Sequence, residues 1–126
     1  MELTICLIVK NEELKLPTCL SSFRGLCQKL VVVDTGSADN TKKIAMHFGA
    51  EVFDFNWQKD FSAARNFALS KVQTPWLMMV DADDRIDPLT LEKLKKAIQN
   101  LPENVNGIFL QYLYSAVKQN NGNMAY

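Results

Sequence analysis

Residues 76–88, "WLMMVDADDRIDP", run from an apolar stretch straight into three acids, Asp81, Asp83 and Asp84, and then into an Asp–Pro pair. The apolar stretch, taken back to Pro75, predicts a strand over residues 75–80. Asp87 before Pro88 reads as an N-cap with proline at the first helical position, opening a helix over 88–100. Strand, acidic turn and helix in quick succession is the unit from which α/β sheets are built. The turn also poses an electrostatic problem. Two unit charges ~4 Å apart repel by roughly 1 kcal/mol in bulk water, and by more near a protein surface. A buried strand ending in such acids needs something that neutralises them.

The same alternation extends upstream. "LTICLIV" (3–9) and "KLVVVD" (29–34) are continuous apolar runs, as expected of strands buried on both faces. "EVFDF" (51–55) predicts a shorter strand and "NGIFLQYLYSAV" (106–117) a fifth. Between them, helices are expected over 17–24, after the turn "TGSADN" with Asp39 or Asn40 as cap and Gly49 closing it, and over 60–72. This order predicts an α/β fold, a mostly parallel sheet with helices on both faces. The chain reads as one domain over 1–126, and the Asn-Gly signal after the fifth strand suggests that the sheet continues past the last residue.

Composition narrows the function. The 126 residues are enough for one cored domain, 48% hydrophobic and 22% charged. Fourteen basic residues balance fourteen acidic ones, which argues against a nucleic-acid partner. Cys6, Cys19 and Cys27 are an odd number without C-x-x-C spacing, as expected of free thiols in a reducing compartment. The apolar run at 3–9 is too short for a membrane span or a signal peptide. A cytoplasmic protein is expected, at most seated at the inner face of a membrane.

Ligands of open α/β sheets bind beyond the carboxyl ends of the strands. Three of those ends are polar: Lys10-Asn11-Glu12, Asp34-Thr35-Gly36-Ser37 and Asp81-Ala82-Asp83-Asp84. An extended D-x-D aims two carboxylates at one point, and hard oxygen donors suit Mg²⁺ or Mn²⁺. Asp81 and Asp83 are the candidate metal ligands; Asp87 is assigned to capping. Asp34 can accept from a nucleobase N–H or cap its own turn. Gly36 is expected at positive φ. Arg65 can reach a diphosphate, brace the acids or form a surface ion pair. His47 is assigned to the end of its helix, and Trp57 and Trp76 to packing.

The segments "TICLIVKNEE", "VVVDTGSADNT", "DFSAARNFAL" and "WLMMVDADD" together resemble the nucleotide-binding half of inverting family 2 glycosyltransferases, which have the GT-A fold. The wording is most similar to bacterial members that transfer sugar to lipopolysaccharide core, polysaccharide or peptide. The resemblance covers residues 3 to about 88. It implies that Asp81 and Asp83, across Ala82, hold a metal on the diphosphate of a nucleotide-sugar donor, UDP-linked by the family's habit. It implies Asp84 near the sugar, Asp34 on the base, Ile8, Val9, Asn11 and Glu12 as the floor of the base and ribose pocket, Gly36 in the adjoining turn, and Arg65 near the diphosphate. Where many members have two acids, this chain has Asp34-Thr35, which leaves open which position meets the base.

Inversion also needs a general base on the acceptor side, and the family places it well after the D-x-D. Asp87, Glu92 and Glu103 are poor candidates. The expectation is a donor-binding part, inactive alone, with its base beyond residue 126, an acceptor that is a saccharide, a lipid-linked glycan or a peptide, and apolar surface favouring self-association. Two other classes compete. One is a nucleotide-binding module without turnover. The other is a haloacid dehalogenase-type phosphohydrolase, which carries its D-x-D on the first strand and not the fourth. A dinucleotide-binding dehydrogenase is disfavoured because no G-x-G-x-x-G follows the first strand.

Overall fold

The computed structural model describes residues 2–57 and 59–100. The order is β1 (Leu3–Val9), α1 (Leu16–Ser22), β2 (Lys29–Asp34), α2 (Thr41–His47), β3 (Glu51–Asp54), α3 (Phe61–Leu69), β4 (Trp76–Met79) and α4 (Pro88–Gln99). The strands form one parallel sheet in the order β3-β2-β1-β4. The expected fifth strand lies outside the described residues.

The central position of β1 explains its unbroken apolar sequence. It pairs with β2 on one side and β4 on the other, and both of its faces are covered. Leu3, Ile5, Leu7 and Val9 face one core with Leu16, Cys19 and Leu20 of α1, Ala45 of α2 and Leu94 of α4. Cys6 faces a smaller core with Val31, Val33 and Ala68 of α3, against which Ile8, Phe53 and Phe67 pack. Three helices therefore cover one face and α3 covers the other, as the sequence led us to expect. Ile5, Leu7, Val32 and Val33 are almost fully buried, and burial of such side chains contributes about 1.5–3 kcal/mol each.

Two helices begin at aspartates. The side chain of Asp60 accepts from the amides of Ser62 and Ala63, and Asp87 accepts from the amide of Thr90 at 2.8 Å and from its hydroxyl at 2.7 Å. Satisfying these otherwise unpaired amides fixes where α3 and α4 start. The depressed pKa of Asp87, caused first by the Thr90 hydroxyl, reflects the same bonds. The start of α2 falls at the second of its two candidate caps. Asn40 occupies the N-cap without a side-chain bond, while Asp39 accepts from the amide and the hydroxyl of Thr41.

After β1, β2 and β3 the chain returns across the sheet to place β4 on the free side of β1. Strand order reverses there, and in open α/β sheets ligands bind beyond the carboxyl ends at such a reversal. Val9 pairs with Asp34, and Cys6 with Met79. Continuing the second register by two residues puts Asp81 level with Ile8. Asp34 and Asp81 thus flank β1 at nearly one height, two strand spacings or about 10 Å apart.

Candidate functional site

The loops after β1 and β2 are stitched together. The Asn11 amide donates to Ser37 Oγ at 2.8 Å, and Asn11 Oδ1 accepts from the Ala38 amide at 2.7 Å. The Glu12 amide donates to Thr41 Oγ1 at 2.9 Å, and Glu13 exchanges bonds with Asp39 and Asn40. The amide and hydroxyl of Thr35 both donate to the Val9 carbonyl. Asn11 sits at φ 53 and Gly36 at φ 117. Asparagine tolerates the first of these conformations, whereas the second favours glycine. The positive φ expected of Gly36 is present.

Asp34 takes the capping role with one of its two oxygens. Its Oδ1 accepts from the amides of Gly36 and Ser37 at 2.9 and 2.8 Å, which caps the turn. Its Oδ2 is buried with no hydrogen-bond partner among the described residues. An orphaned buried oxygen of this kind costs about 1–3 kcal/mol, and more when charged, so it calls for a partner.

Beyond β4, Asp81, Asp83 and Asp84 bring carboxylate oxygens within 4.8 Å of one another, the one such trio among the described residues. Asp84 shapes the turn: its Oδ2 accepts from the Asp81 amide at 2.8 Å. Partial burial, followed by the charges of Asp84 and Asp83, raises the pKa of Asp81, and Arg65 acts in the opposite sense. Arg65 is therefore close enough to the acids to act on them. It forms no ion pair among the described residues and lies 4.8 Å above the ring of Phe61. All donors in the trio are hard oxygens, and their crowded negative charge fits a divalent cation such as Mg²⁺ or Mn²⁺.

Underneath, the buried thiol of Cys19 donates to the Asp81 carbonyl at 3.5 Å, and Ser22 Oγ accepts from the Ile86 amide at 3.2 Å. Burial first, then Asp84, Asp83 and Asp81, push the Cys19 thiol up to about 12, so it stays protonated and acts as a donor. These supports span more than sixty residues and left no local signal in the sequence.

The other expectations fared unequally. Trp76 packs on the larger core. Trp57 remains 44% exposed, meets Phe61 edge-on, and belongs to neither core among the described residues. His47 is exposed in the last turn of α2 and meets Phe48 edge-on. Cys6, Cys19 and Cys27 are free thiols. Among the described residues, no helix is long and apolar enough to cross a membrane.

A sequence model of glycosyl transferase family 2 matches residues 4–122. The chain belongs to glycosyl transferase family 2. It is 40% identical over 85 residues to a TPR repeat-containing protein of Synechococcus elongatus, covering 68% of this chain and 21% of that protein. It is 28% identical over 106 residues to the lipopolysaccharide core biosynthesis glycosyltransferase LpsC of Rhizobium meliloti, covering 78% and 37%. Among solved structures, S. aureus TarS 1–349 superposes with a TM-score of 0.63 at 20% identity, over 91% of this chain and 40% of that one. Glucosyl-3-phosphoglycerate synthase of Mycobacterium tuberculosis, in complex with Mn²⁺, UDP and glucosyl-3-phosphoglycerate, superposes with a TM-score of 0.62 at 22% identity, over 79% and 40%. The family 2 chain thus shares the GT-A fold of these enzymes and spans less than half the length of each of these proteins.

Proposed function

We propose that this family 2 chain binds the nucleotide-sugar donor, a UDP-sugar, of a metal-dependent, inverting glycosyltransferase. The observation that carries the proposal is the pairing of Asp34 and Asp81–Asp83 on either side of β1. A buried acceptor oxygen without a partner among the described residues stands on one side, and a crowded carboxylate trio stands on the other. The separation of about 10 Å is one that a nucleoside diphosphate can bridge.

In this reading Asp34 Oδ2 accepts from the N–H of the base, and the end of β1 with Ile8 and Val9, together with the stitched loops that carry Asn11, Glu12 and Gly36, floors the base and ribose. Asp81 and Asp83 hold Mg²⁺ or Mn²⁺, with Ala82 between them. A divalent ion there supplies charge neutralisation for the departing diphosphate. Arg65 adds a cation on the side of α3. Asp84 and Cys19 keep the turn in shape. The acceptor, whether saccharide, lipid-linked glycan or peptide, needs a second surface and a base within about 3 Å of its hydroxyl. Asp87 and Glu92 are already engaged by Thr90 and Lys95, so we assign the base to neither, and the 126 residues are assigned donor binding without turnover.

The bound UDP in the S. aureus and Mycobacterium tuberculosis structures supports this choice of nucleotide. The experiment is a thermal-shift panel of nucleoside diphosphates with and without Mn²⁺. A ligand at 100 times its Kd stabilises the native state by about 2.7 kcal/mol. Stabilisation by UDP that requires Mn²⁺ is expected; indifference to every nucleotide would remove the proposal.

A further inference from the structure

A cavity of about 240 Å³ opens beside the acid trio, lined by Leu14, Lys15, Thr18, Ala82, Asp83 and Arg85. At ~30 Å³ per water it holds about eight waters, below the roughly 300–1,000 Å³ of sites for larger ligands. It therefore suits one sugar ring or a short acid, and not a whole nucleotide. Two cations, Lys15 and Arg85, stand in its lining, and neither forms an ion pair among the described residues. Thr18 adds a hydroxyl, Leu14 and Ala82 add apolar surface, and Asp83 forms the border with the trio.

We propose that this cavity is a subsite for a sugar-sized group bearing a negative charge, a carboxylate or a phosphate, held by Lys15 and Arg85. The inference rests on the reading of Asp81 and Asp83 as metal ligands. Arg85 offers a planar fork of donors that matches either anion, and Lys15 offers a point charge. Asp83 opposes an anion while its charge is uncompensated, and ceases to do so once that charge is neutralised. Occupation of the metal site and of the cavity therefore reinforce each other, and such coupling is reciprocal. The charged group arrives either on the donor sugar, as in a hexuronic acid, or on the acceptor.

The test is calorimetry on the 126-residue chain with two pairs of probes. UDP-glucuronic acid against UDP-glucose reports a charge on the donor; glucose 6-phosphate against glucose, with Mn²⁺ and UDP present, reports a charge on the acceptor. Wild type should favour the charged member of at least one pair by about tenfold or more. The double variant Lys15→Gln/Arg85→Gln should lose that preference while binding Mn²⁺–UDP as before. Both side chains are exposed, so circular dichroism should show an unchanged fold. Normal Mn²⁺–UDP binding with no charge preference in either pair overturns the subsite. A charge preference that survives in the double variant overturns it as well. Failure of Mn²⁺–UDP binding in wild type, with the charge preference intact, removes the metal reading and leaves the subsite standing without its coupling.

Discussion

Asp84 accepts the Asp81 amide proton through Oδ2 at 2.8 Å and returns its own amide proton to the Asp81 carbonyl at 2.9 Å. This exchange bends the chain so that neighbouring carboxylates converge despite their repulsion. It also separates two roles among three chemically similar residues. Asp84→Ala removes the clasp, whereas Asp84→Asn keeps an oxygen that can accept from the same amide. Mn²⁺ affinity, followed by electron paramagnetic resonance, should fall up to about tenfold in Asp84→Ala and recover in Asp84→Asn. Equal losses in the two variants would assign Asp84 to direct metal ligation.

Asp34 offers a cleaner separation. Asp34→Asn keeps Oδ1 for the amides of Gly36 and Ser37 but replaces the orphaned acceptor with a donor. The midpoint of urea unfolding should stay close to wild type, while uridine binding weakens by about 1–3 kcal/mol. Asp34→Ala should lose stability as well, because it strands both turn amides. Wild-type affinity for uridine in Asp34→Asn would show that Oδ2 does not face the base.

Gly36 holds φ 117 with nothing within 4 Å of where a Cβ would stand. Its requirement is therefore conformational and not steric. Gly36→Ala should cost about 1–3 kcal/mol in urea unfolding, with the loss concentrated in the two laced loops that carry Asn11 and Ser37. Wild-type stability would mean that the turn relaxes freely.

The raised pKa of Asp81 makes a signed prediction. Burial and the charges of Asp84 and Asp83 hold the proton on more tightly in the folded chain than in the unfolded one. The folded state therefore binds more protons in that window, and stability falls as pH rises through it. Metal-free wild type should lose stability relative to Asp81→Asn between about pH 4, the ordinary aspartate value, and neutrality. Mn²⁺ affinity should run the other way and weaken as Asp81 is protonated. Parallel pH profiles for the two proteins would contradict this.

Local features of the sequence foretold much of this architecture. The bounds of β1 and β2 follow from apolar runs that end in polar residues, and α4 from Asp87-Pro88. The ends of α1 and α3 were expected later than they occur, at 24 and 72 instead of Ser22 and Leu69. Phe23 and Val72 lie beyond those ends and still pack on the cores, so apolar periodicity outlasts the helical turns. The acid trio was legible because its members are neighbours in the chain. The lacing of Asn11 to Ser37 and of Cys19 to Asp81 was not, because a contact between distant segments has no period. The orphaned oxygen of Asp34 was hidden for a similar reason: the residue type is visible in sequence, but the way its two oxygens divide their work is set by three-dimensional packing.

The most direct measurement is a calorimetric titration of UDP into wild type and Asp83→Asn, each with and without Mn²⁺. Asp83 is exposed, so the variant should fold normally. Wild type should bind UDP far more tightly with Mn²⁺ than without it, and Asp83→Asn should bind equally weakly in both conditions. The same Mn²⁺ enhancement in both proteins would contradict the assignment of Asp81 and Asp83 as the metal site of a nucleotide-sugar donor.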